Sequence, residues 1–122
     1  MITEDYCSYE VAKLLKEKGF DKACYTFYEY NSKEFYREER IPCYNSRSDD
    51  YAAPTHQMAM KWLREEKHII LVFKPATFSG EECTYWTYEV WAGDNFEGEV
   101  MSFKTYEEAV EAALKYSLEN LI

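Results

Sequence analysis

The stretch KTYEEAVEAALKYSLENL, residues 104–121, predicts the helix that closes this fold. It begins with a capping box, because Thr105 and Glu108 lie three residues apart and each side chain can accept the other's free backbone N–H. Acidic side chains in the first turn also suit the positive end of the helix dipole. The apolar face has helical spacing and consists of Ala109, Val110, Ala113, Leu114, Leu118 and Leu121. Its alanines permit close approach to a sheet.

The segments before this helix predict one helix and three strands. Residues 55–67 have helical periodicity. Their predicted buried stripe is Met58, Ala59, Trp62 and Leu63. Residues 68–76, the most hydrophobic run, predict a central strand. Residues 83–93 predict a long aromatic strand and residues 99–104 a short one. Together with the closing helix they predict the order αβββα.

The N-terminal segments predict a helix followed by a hairpin. Ser8 can cap the helix, and Gly19 can end it. The apolar positions are Val11, Leu14 and Leu15. Residues 24–30 then predict a strand, and residues 31–33 a turn into the second arm of a hairpin. Residues 42–54, bracketed by prolines and without periodicity, predict a mobile surface loop.

The whole chain therefore predicts an α+β fold in the order α-β-β-α-β-β-β-α, with a mainly antiparallel sheet covered by helices. Its 122 residues match the usual size of one domain, so we expect residues 1–122 to form a single domain. A division into residues 1–50, a helix and hairpin, and residues 55–122, the αβββα part, is the alternative.

The net charge of −9 is concentrated at the C-terminal end. Residues 81–122 carry ten acids and two lysines, a net charge of −8, whereas residues 1–80 carry a net charge of −1. Proteins that bind nucleic acid neutralise phosphates with Lys and Arg. The surface of this C-terminal part would repel a duplex, and it is compatible with a basic partner.

The N-terminus and the cysteines predict a cytoplasmic protein with free thiols. The start, MITEDYCSYE, lacks the basic-then-apolar pattern of a signal peptide, and no apolar run approaches the roughly 20 residues that span a membrane. The cysteines are Cys7, Cys24, Cys43 and Cys83, and without evidence of export we expect them to be reduced. None has metal-ligand spacing, so we expect neither a metal nor another cofactor.

The αβββα order of residues 55–122 resembles that of double-stranded RNA-binding domains, and EEAVEAALKYSLENL is similar to their alanine-rich last helix. In that family lysines at the start of this helix reach the phosphates. The matching positions here are Glu107 and Glu108, which would repel phosphate. The resemblance is thus one of topology, and we expect no binding to nucleic acid.

Three further stretches resemble small proteins of phages and mobile elements of gut anaerobes. They are EDYCSYEVAKLLKEKGF, APTHQMAMKWLREE and TYEEAVEAALKYSLENLI. The resemblance implies an intracellular setting, in a bacterium or an infected bacterium, and a helical scaffold with variable hairpins. It implies neither catalytic residues nor a cofactor.

The chain is rich in aromatic residues, with 12 Tyr, 7 Phe and 3 Trp. On the two aromatic strands they alternate onto both faces, and one face of a helix-covered sheet is core. The other face needs either a second covering helix or a partner. Tyr and Trp are favoured anchors of protein interfaces. The candidate interface residues are Tyr25, Tyr28, Tyr30, Tyr85, Trp86 and Tyr88, with the acids Glu107, Glu108 and Glu111.

A second candidate site is a pocket under the loop of residues 42–54. A cysteine nucleophile needs a nearby base, and His56 could supply one to Cys43. Arg40 and Arg47 would complete such a pocket. The sequence has none of the common nucleotide-binding, zinc-protease or hydrolase motifs. An ordinary loop thiol is therefore the favoured interpretation of Cys43.

These observations favour a non-enzymatic protein-binding module that docks on another protein and binds neither nucleic acid nor membrane. Two alternatives stay open. One is an enzyme or small-ligand protein with its site under the 42–54 loop. The other is a structural protein that self-associates, with the aromatic strands sealing a homodimer.

Overall fold

The computed structural model of the chain describes residues 3–76 and 85–122. Within them the elements are α1 (Tyr9–Glu17), β1 (Thr26–Tyr28), β2 (Phe35–Arg37), a 3-10 turn (Asn45–Arg47), β3 (Tyr51–Ala52), α2 (His56–Glu66), β4 (Ile69–Ala76), β5 (Tyr85–Ala92), β6 (Asn95–Phe103) and α3 (Tyr106–Asn120). The predicted α+β class and the order of helices and strands are confirmed. The 3-10 turn and β3 were not predicted, and they lie within residues 42–54, where the sequence predicts a loop.

The chain divides into two compact units, which we call the N-terminal unit (Met1–Ala59) and the C-terminal unit (Met60–Ile122). This boundary lies close to the division that the sequence offered as its alternative. The expectation of one domain over all 122 residues stays a prediction.

Helix α1 of the N-terminal unit forms as its sequence predicts. The hydroxyl of Ser8 accepts a hydrogen bond from the backbone N–H of Val11 at 3.2 Å. The helix ends where Gly19 takes a φ of +95°, a conformation that glycine adopts without steric cost. Val11, Ala12 and Leu15 are buried. The cap and the glycine thus define both ends of the helix.

The N-terminal unit contains a small antiparallel sheet with the strand order β2-β1-β3. Thr26 pairs with Arg37 and Tyr28 with Phe35 in the hairpin, while Phe27 pairs with Ala52 on the other edge of β1. Helix α1 packs on β3. The predicted strand at 24–30 is shorter, Thr26–Tyr28, and the strands form two sheets where the sequence predicts one.

The expectation that residues 42–54 form a surface loop is wrong in part. Asn45, Ala52 and Ala53 are buried, and β3 joins the sheet. The segment has no periodicity because its residues are fixed one by one through side-chain hydrogen bonds, rather than by a repeating face.

The sheet of the C-terminal unit is antiparallel with the order β4-β5-β6. The sequence predicts β4 as the central strand, which is wrong, because β5 lies in the middle and pairs with both neighbours. The hydrophobic content of a strand does not identify the central strand here, since Ile70 on β4 is exposed while Thr87 on β5 is buried.

Helix α3 packs on all three strands of this sheet. Its buried residues are Ala109, Val110, Ala113, Leu114, Ser117 and Leu118. This agrees with the predicted face except at Leu121, which is half-buried at the helix end. The hydroxyl of Ser117, which the sequence did not place in the core, is satisfied because it donates to the carbonyl of Ala113 at 2.8 Å.

Helix α2 buries three of its four predicted positions, Ala59, Trp62 and Leu63. The prediction that Met58 is buried is wrong, because the residue is 44% exposed. Met58 precedes the buried stripe by about 100° of helix rotation and therefore lies at its margin.

We expect the cap of α3 to contribute measurably to stability. Thr105 Oγ1 accepts a hydrogen bond from the N–H of Glu108 at 3.1 Å. Replacing Thr105 with alanine removes this acceptor and should lower the free energy of unfolding by about 1 kcal/mol in urea denaturation followed by circular dichroism. Thr105→Ser keeps a hydroxyl and should lose much less. Equal losses in the two variants would contradict the capping role.

Candidate functional site

The main concave feature described in the N-terminal unit is a groove of about 580 Å³, which we call the hairpin groove. It is lined by Phe27, Glu38, Ile41, Pro42, Cys43, Tyr44, Arg47, Ser48 and Asp50. One wall comes from the β1–β2 hairpin, and the rest comes from the segment that follows it. The lining is mainly apolar and aromatic, with charged groups among it. This composition is typical of sites that bind an apolar group and orient it with a few polar contacts.

A buried amide holds the groove-forming segment in place. Asn45 Nδ2 donates to the carbonyl of Phe20 at 2.8 Å, and its Oδ1 accepts from the N–H of Ala52 at 2.9 Å. The one side chain thus connects the end of the α1 region to β3. A buried amide that lacks hydrogen-bond partners lowers the stability of the fold, so these two hydrogen bonds favour the observed path of the segment.

Lys16 fastens the same segment from helix α1. Its ammonium group donates to the carbonyls of Ser48 at 2.6 Å and Asp50 at 2.9 Å, and it lies 5.2 Å from the ring centroid of Tyr51. The carboxylate of Asp50 in turn accepts from the N–H of Tyr30 at 3.0 Å. These contacts tie the far wall of the groove to the helix and to the hairpin.

A third contact fixes the short turn that carries Arg47. The N–H of Ser46 donates to Asp21 Oδ1 at 3.0 Å. This bond favours the charged carboxylate, so the pKa of Asp21 lies below its usual value of 3.8. The guanidinium of Arg47 then lies 4.7 Å from the ring centroid of Tyr44, in cation–π contact. Arg47 is therefore held in the groove wall.

The hairpin adds exposed aromatic surface beside the groove. The rings of Phe27 and Tyr36 are stacked with centroids 5.8 Å apart, on the face of the sheet that Phe27 presents to the groove. Tyr36 is exposed, and Ile41 is 73% exposed. Isolated exposed apolar residues are normal, but these adjoin an apolar groove and extend it into a continuous surface.

Of the pocket predicted from the sequence, the structure brings two residues together. Cys43 and Arg47 both line the groove, whereas Arg40 and His56 are not among its lining residues. His56 is 6% exposed at the start of α2, where its N–H donates to the carbonyl of Asp5 at 2.9 Å. The arrangement of Cys43 with a His56 base is thus wrong.

The surroundings of the Cys43 thiol disfavour its charged form. Burial raises its pKa, and the nearby Asp50 charge adds to this, while a hydrogen bond with Ser48 and the charge of Lys16 oppose it. A reactive cysteine needs a lowered pKa so that the thiolate is present near neutral pH. The direction of this pKa shift therefore disfavours a thiolate at Cys43 near neutral pH.

The predicted aromatic interface residues of the N-terminal unit lie in different surroundings. Tyr25 and Tyr30 are exposed. Tyr28 is half-buried, and its hydroxyl donates to the carbonyl of Cys7 at 2.7 Å while its ring meets Tyr9 edge-on at 5.8 Å. Tyr28 therefore supports the packing of α1, and Tyr25 and Tyr30 keep the exposure that an interface needs.

In the C-terminal unit, helix α3 covers much of the aromatic face. Tyr88 is 4% exposed and belongs to the core, so its assignment to an interface is wrong. Its ring and that of Trp86 contact Tyr116 and Tyr106 of α3, respectively. Burial raises the pKa of Tyr88, with the neighbouring Tyr116 adding to the effect.

The other predicted positions of the C-terminal unit are accessible. Tyr85 is half-buried and, by the alternation of the strand, lies on the face opposite to Tyr88. Glu107 and Glu108 are exposed in the first turn of α3, and Glu111 is half-buried. On the sheet face opposite to Tyr88, Ile70 is also exposed, which makes it a useful reference position for apolar surface outside the hairpin groove.

Comparisons with protein-family models, with curated proteins and with solved structures gave no match to this chain. In the described part of the chain no cluster of three or more His, Cys, Asp or Glu side chains is placed to hold a metal ion. Residues 3–76 and 85–122 also contain no helix with the length and apolar character needed to cross a membrane.

Sequence reasoning missed Phe27, Tyr36 and Ile41 as parts of one surface. Phe27 and Tyr36 are a cross-strand pair, which could have been read from the hairpin register. Ile41 carried no local signal, because it joins the groove only through the path of the segment behind it. Asn45 was likewise hidden among ordinary polar loop residues.

We expect Asn45 to be the residue on which the groove wall depends. Asn45→Ala leaves the Phe20 carbonyl and the Ala52 N–H without partners and should lower the free energy of unfolding by about 2–3 kcal/mol in urea denaturation. Hydrogen exchange at the Ala52 amide should quicken in the same variant. Asn31→Ala, at an exposed position in the hairpin turn, should change stability by less than about 0.5 kcal/mol. Similar stability of both variants would remove Asn45 from this role.

Proposed function

We propose that this chain is a protein-binding module and that the hairpin groove receives a segment of its partner protein. The observation that carries the proposal is the strongly exposed Ile41 at the edge of a mainly apolar groove, continuous with the Phe27–Tyr36 stack. Burying an isoleucine side chain gains about 1.5–3 kcal/mol, so a partner that covers Ile41 gains affinity from this one contact.

The charges around the groove indicate what the partner segment carries. Glu38 and Asp50 line it with one cation, Arg47, which already lies on the Tyr44 ring. The chain as a whole has a net charge of −9. An apolar side chain flanked by a lysine or arginine therefore fits best, because complementary charge speeds encounter and disfavours acidic competitors.

Binding is a better match than catalysis for this groove. The pKa of Cys43 is raised by burial, and His56 does not line the groove with it. Binding of nucleic acid in the manner of double-stranded RNA-binding domains is a poor match for the chain as well, since the exposed Glu107 and Glu108 occupy the helix start at which phosphate would approach in that mode. The binding of a protein partner requires neither a reactive thiol nor the approach of a phosphate group to these acids.

The setting we propose with this function is the cytoplasm of a bacterium or an infected bacterium. It is supported by the resemblance of both ends and the middle helix to small phage and mobile-element proteins. A docking protein of this kind would act on a host or phage protein by occupying one of its surfaces.

Affinity capture with matched variants tests the proposal. Tagged wild-type protein, Ile41→Ser and Ile70→Ser are each incubated with bacterial lysate and washed at low salt. The two substitutions are chemically identical, and both positions are exposed. We expect wild type and Ile70→Ser to retain one stoichiometric partner, and Ile41→Ser to retain at least about tenfold less, as the lost burial energy implies.

Two results would contradict the proposal. One is that wild type retains no stoichiometric partner. The other is that Ile70→Ser loses the partner while Ile41→Ser keeps it, which would move the interface to the sheet of the C-terminal unit. Light scattering of the pure protein separates a captured partner from a second copy of the chain, the self-associating alternative.

A further inference from the structure

Two cysteines lie directly opposite each other at the base of the hairpin. Cys24 and Cys43 form an isolated antiparallel bridge just outside β1. The N–H of Cys24 donates to the carbonyl of Cys43 at 3.1 Å, and the N–H of Cys43 donates to the carbonyl of Cys24 at 2.7 Å. Both cysteines are free thiols. The exchange of both hydrogen bonds defines them as a hydrogen-bonded antiparallel pair.

The geometry of such a pair suits a disulfide bond. Directly opposed residues of an antiparallel pair have their side chains on the same face, with Cα atoms about 5.5 Å apart when they exchange both hydrogen bonds. Disulfide-bonded cysteines have Cα separations of about 4.4–6.8 Å, most often near 5.5–6 Å. By this general geometry, the paired backbone places the two Cα atoms within the range that a disulfide bridges.

The pair closes a loop whose outer part is exposed, and contacts such as that of the Arg37 guanidinium with the Tyr6 hydroxyl at 3.3 Å also hold this loop. Every residue from 30 to 41 is exposed, including β2 at the edge of its sheet. At the base of the hairpin, Cys24 is 6% exposed and Cys43 is half-buried. A covalent bond at this base would restrict the hairpin and the hairpin groove together.

The two thiols differ in their accessibility to a reagent, and this difference determines which thiol reacts first. Cys43 lines the groove, so a small reagent reaches it first. Cys24 is more deeply buried, and burial raises its pKa to about 12, with the neighbouring Cys43 as the second cause. The high pKa keeps the Cys24 sulfur protonated near neutral pH. Once Cys43 is modified, the fixed position of Cys24 favours the intramolecular reaction.

We propose that Cys24 and Cys43 are a redox-modification site, at which a low-molecular-weight disulfide such as oxidised glutathione converts the two thiols into a reversible disulfide. The Cys43 thiolate attacks one sulfur of the reagent, whose S–S bond breaks and releases one thiol. A mixed disulfide on Cys43 results. Cys24 then loses its proton, and its sulfur attacks Cys43 Sγ, so that the mixed disulfide breaks and the second reagent thiol, which takes up a proton, is released.

The reaction is balanced without any further reactant. Two protein thiols and one reagent disulfide give one protein disulfide and two reagent thiols, so two electrons pass from the protein to the reagent. The product closes the loop of residues 24–43 and withdraws the Cys43 thiol from the groove. This inference goes beyond the proposed function and does not rest on it, because the bond depends only on the facing pair.

The test uses the full chain with Cys83 replaced by serine, so that the remaining cysteines are Cys7, Cys24 and Cys43. The native protein is equilibrated with oxidised glutathione, quenched with acid, and alkylated after denaturation. Before alkylation, we expect the oxidised protein to be lighter than the reduced protein by two hydrogen atoms. After alkylation, we expect one cysteine to carry the alkyl group. Peptide mapping should identify a Cys24–Cys43 link and an alkylated Cys7, which is fully buried in the native state. Dithiothreitol should restore all three thiols.

Matched variants and an independent readout complete the test. Cys24→Ser, Cys24→Ala and Cys43→Ser should form no internal link, and Cys24→Ser should instead hold glutathione on Cys43. Circular dichroism before oxidation identifies any variant that fails to fold. The parent protein with Cys83→Ser shows by itself whether the Cys24–Cys43 link forms, so the test does not depend on the folding of the variants. Glutathione on Cys43 of the parent without closure of the bond, or a link that involves Cys7, would overturn the proposal. Neither result would bear on partner capture by the hairpin groove.

Discussion

The Asn45 amide is the interaction on which the N-terminal unit depends. It is buried, and it bonds to the Phe20 carbonyl on one side and to the Ala52 N–H on the other. A chain segment with no repeating apolar face has no hydrophobic reason to follow one path. A buried amide supplies such a reason, because any other path leaves two backbone groups unpaired. The wall of the hairpin groove exists because this path is held.

The other contacts of the segment act in the same way and together produce a site. Lys16 bonds to the carbonyls of Ser48 and Asp50, and Asp21 fixes the short turn through Ser46. Each is a charged group that bonds to backbone, and such bonds are stronger than neutral ones. With the segment held by polar contacts, its apolar side chains are left free to face outward. A surface built in this way can be apolar without belonging to the core.

The C-terminal unit is stabilised differently, by the packing of a capped helix on an aromatic sheet. The rings of Trp86 and Tyr88 lie against aromatic residues of α3, and the buried alanines of the helix let it approach closely. This packing turned some of the predicted interface aromatics into core. The acids at the start of α3 stay on the surface, where they satisfy the helix dipole.

The sequence by itself determined the elements that are governed by local periodicity and capping. Ser8, Gly19 and Thr105 marked helix ends, and the α+β order followed from alternating patterns. Cys43 and Arg47 could be assigned to one region because they share a loop. Only the tertiary structure decided which strand is central, where residues 42–54 run, and that Cys24 faces Cys43. Those features arise from pairings between residues distant in the chain, which no local pattern of side chains encodes.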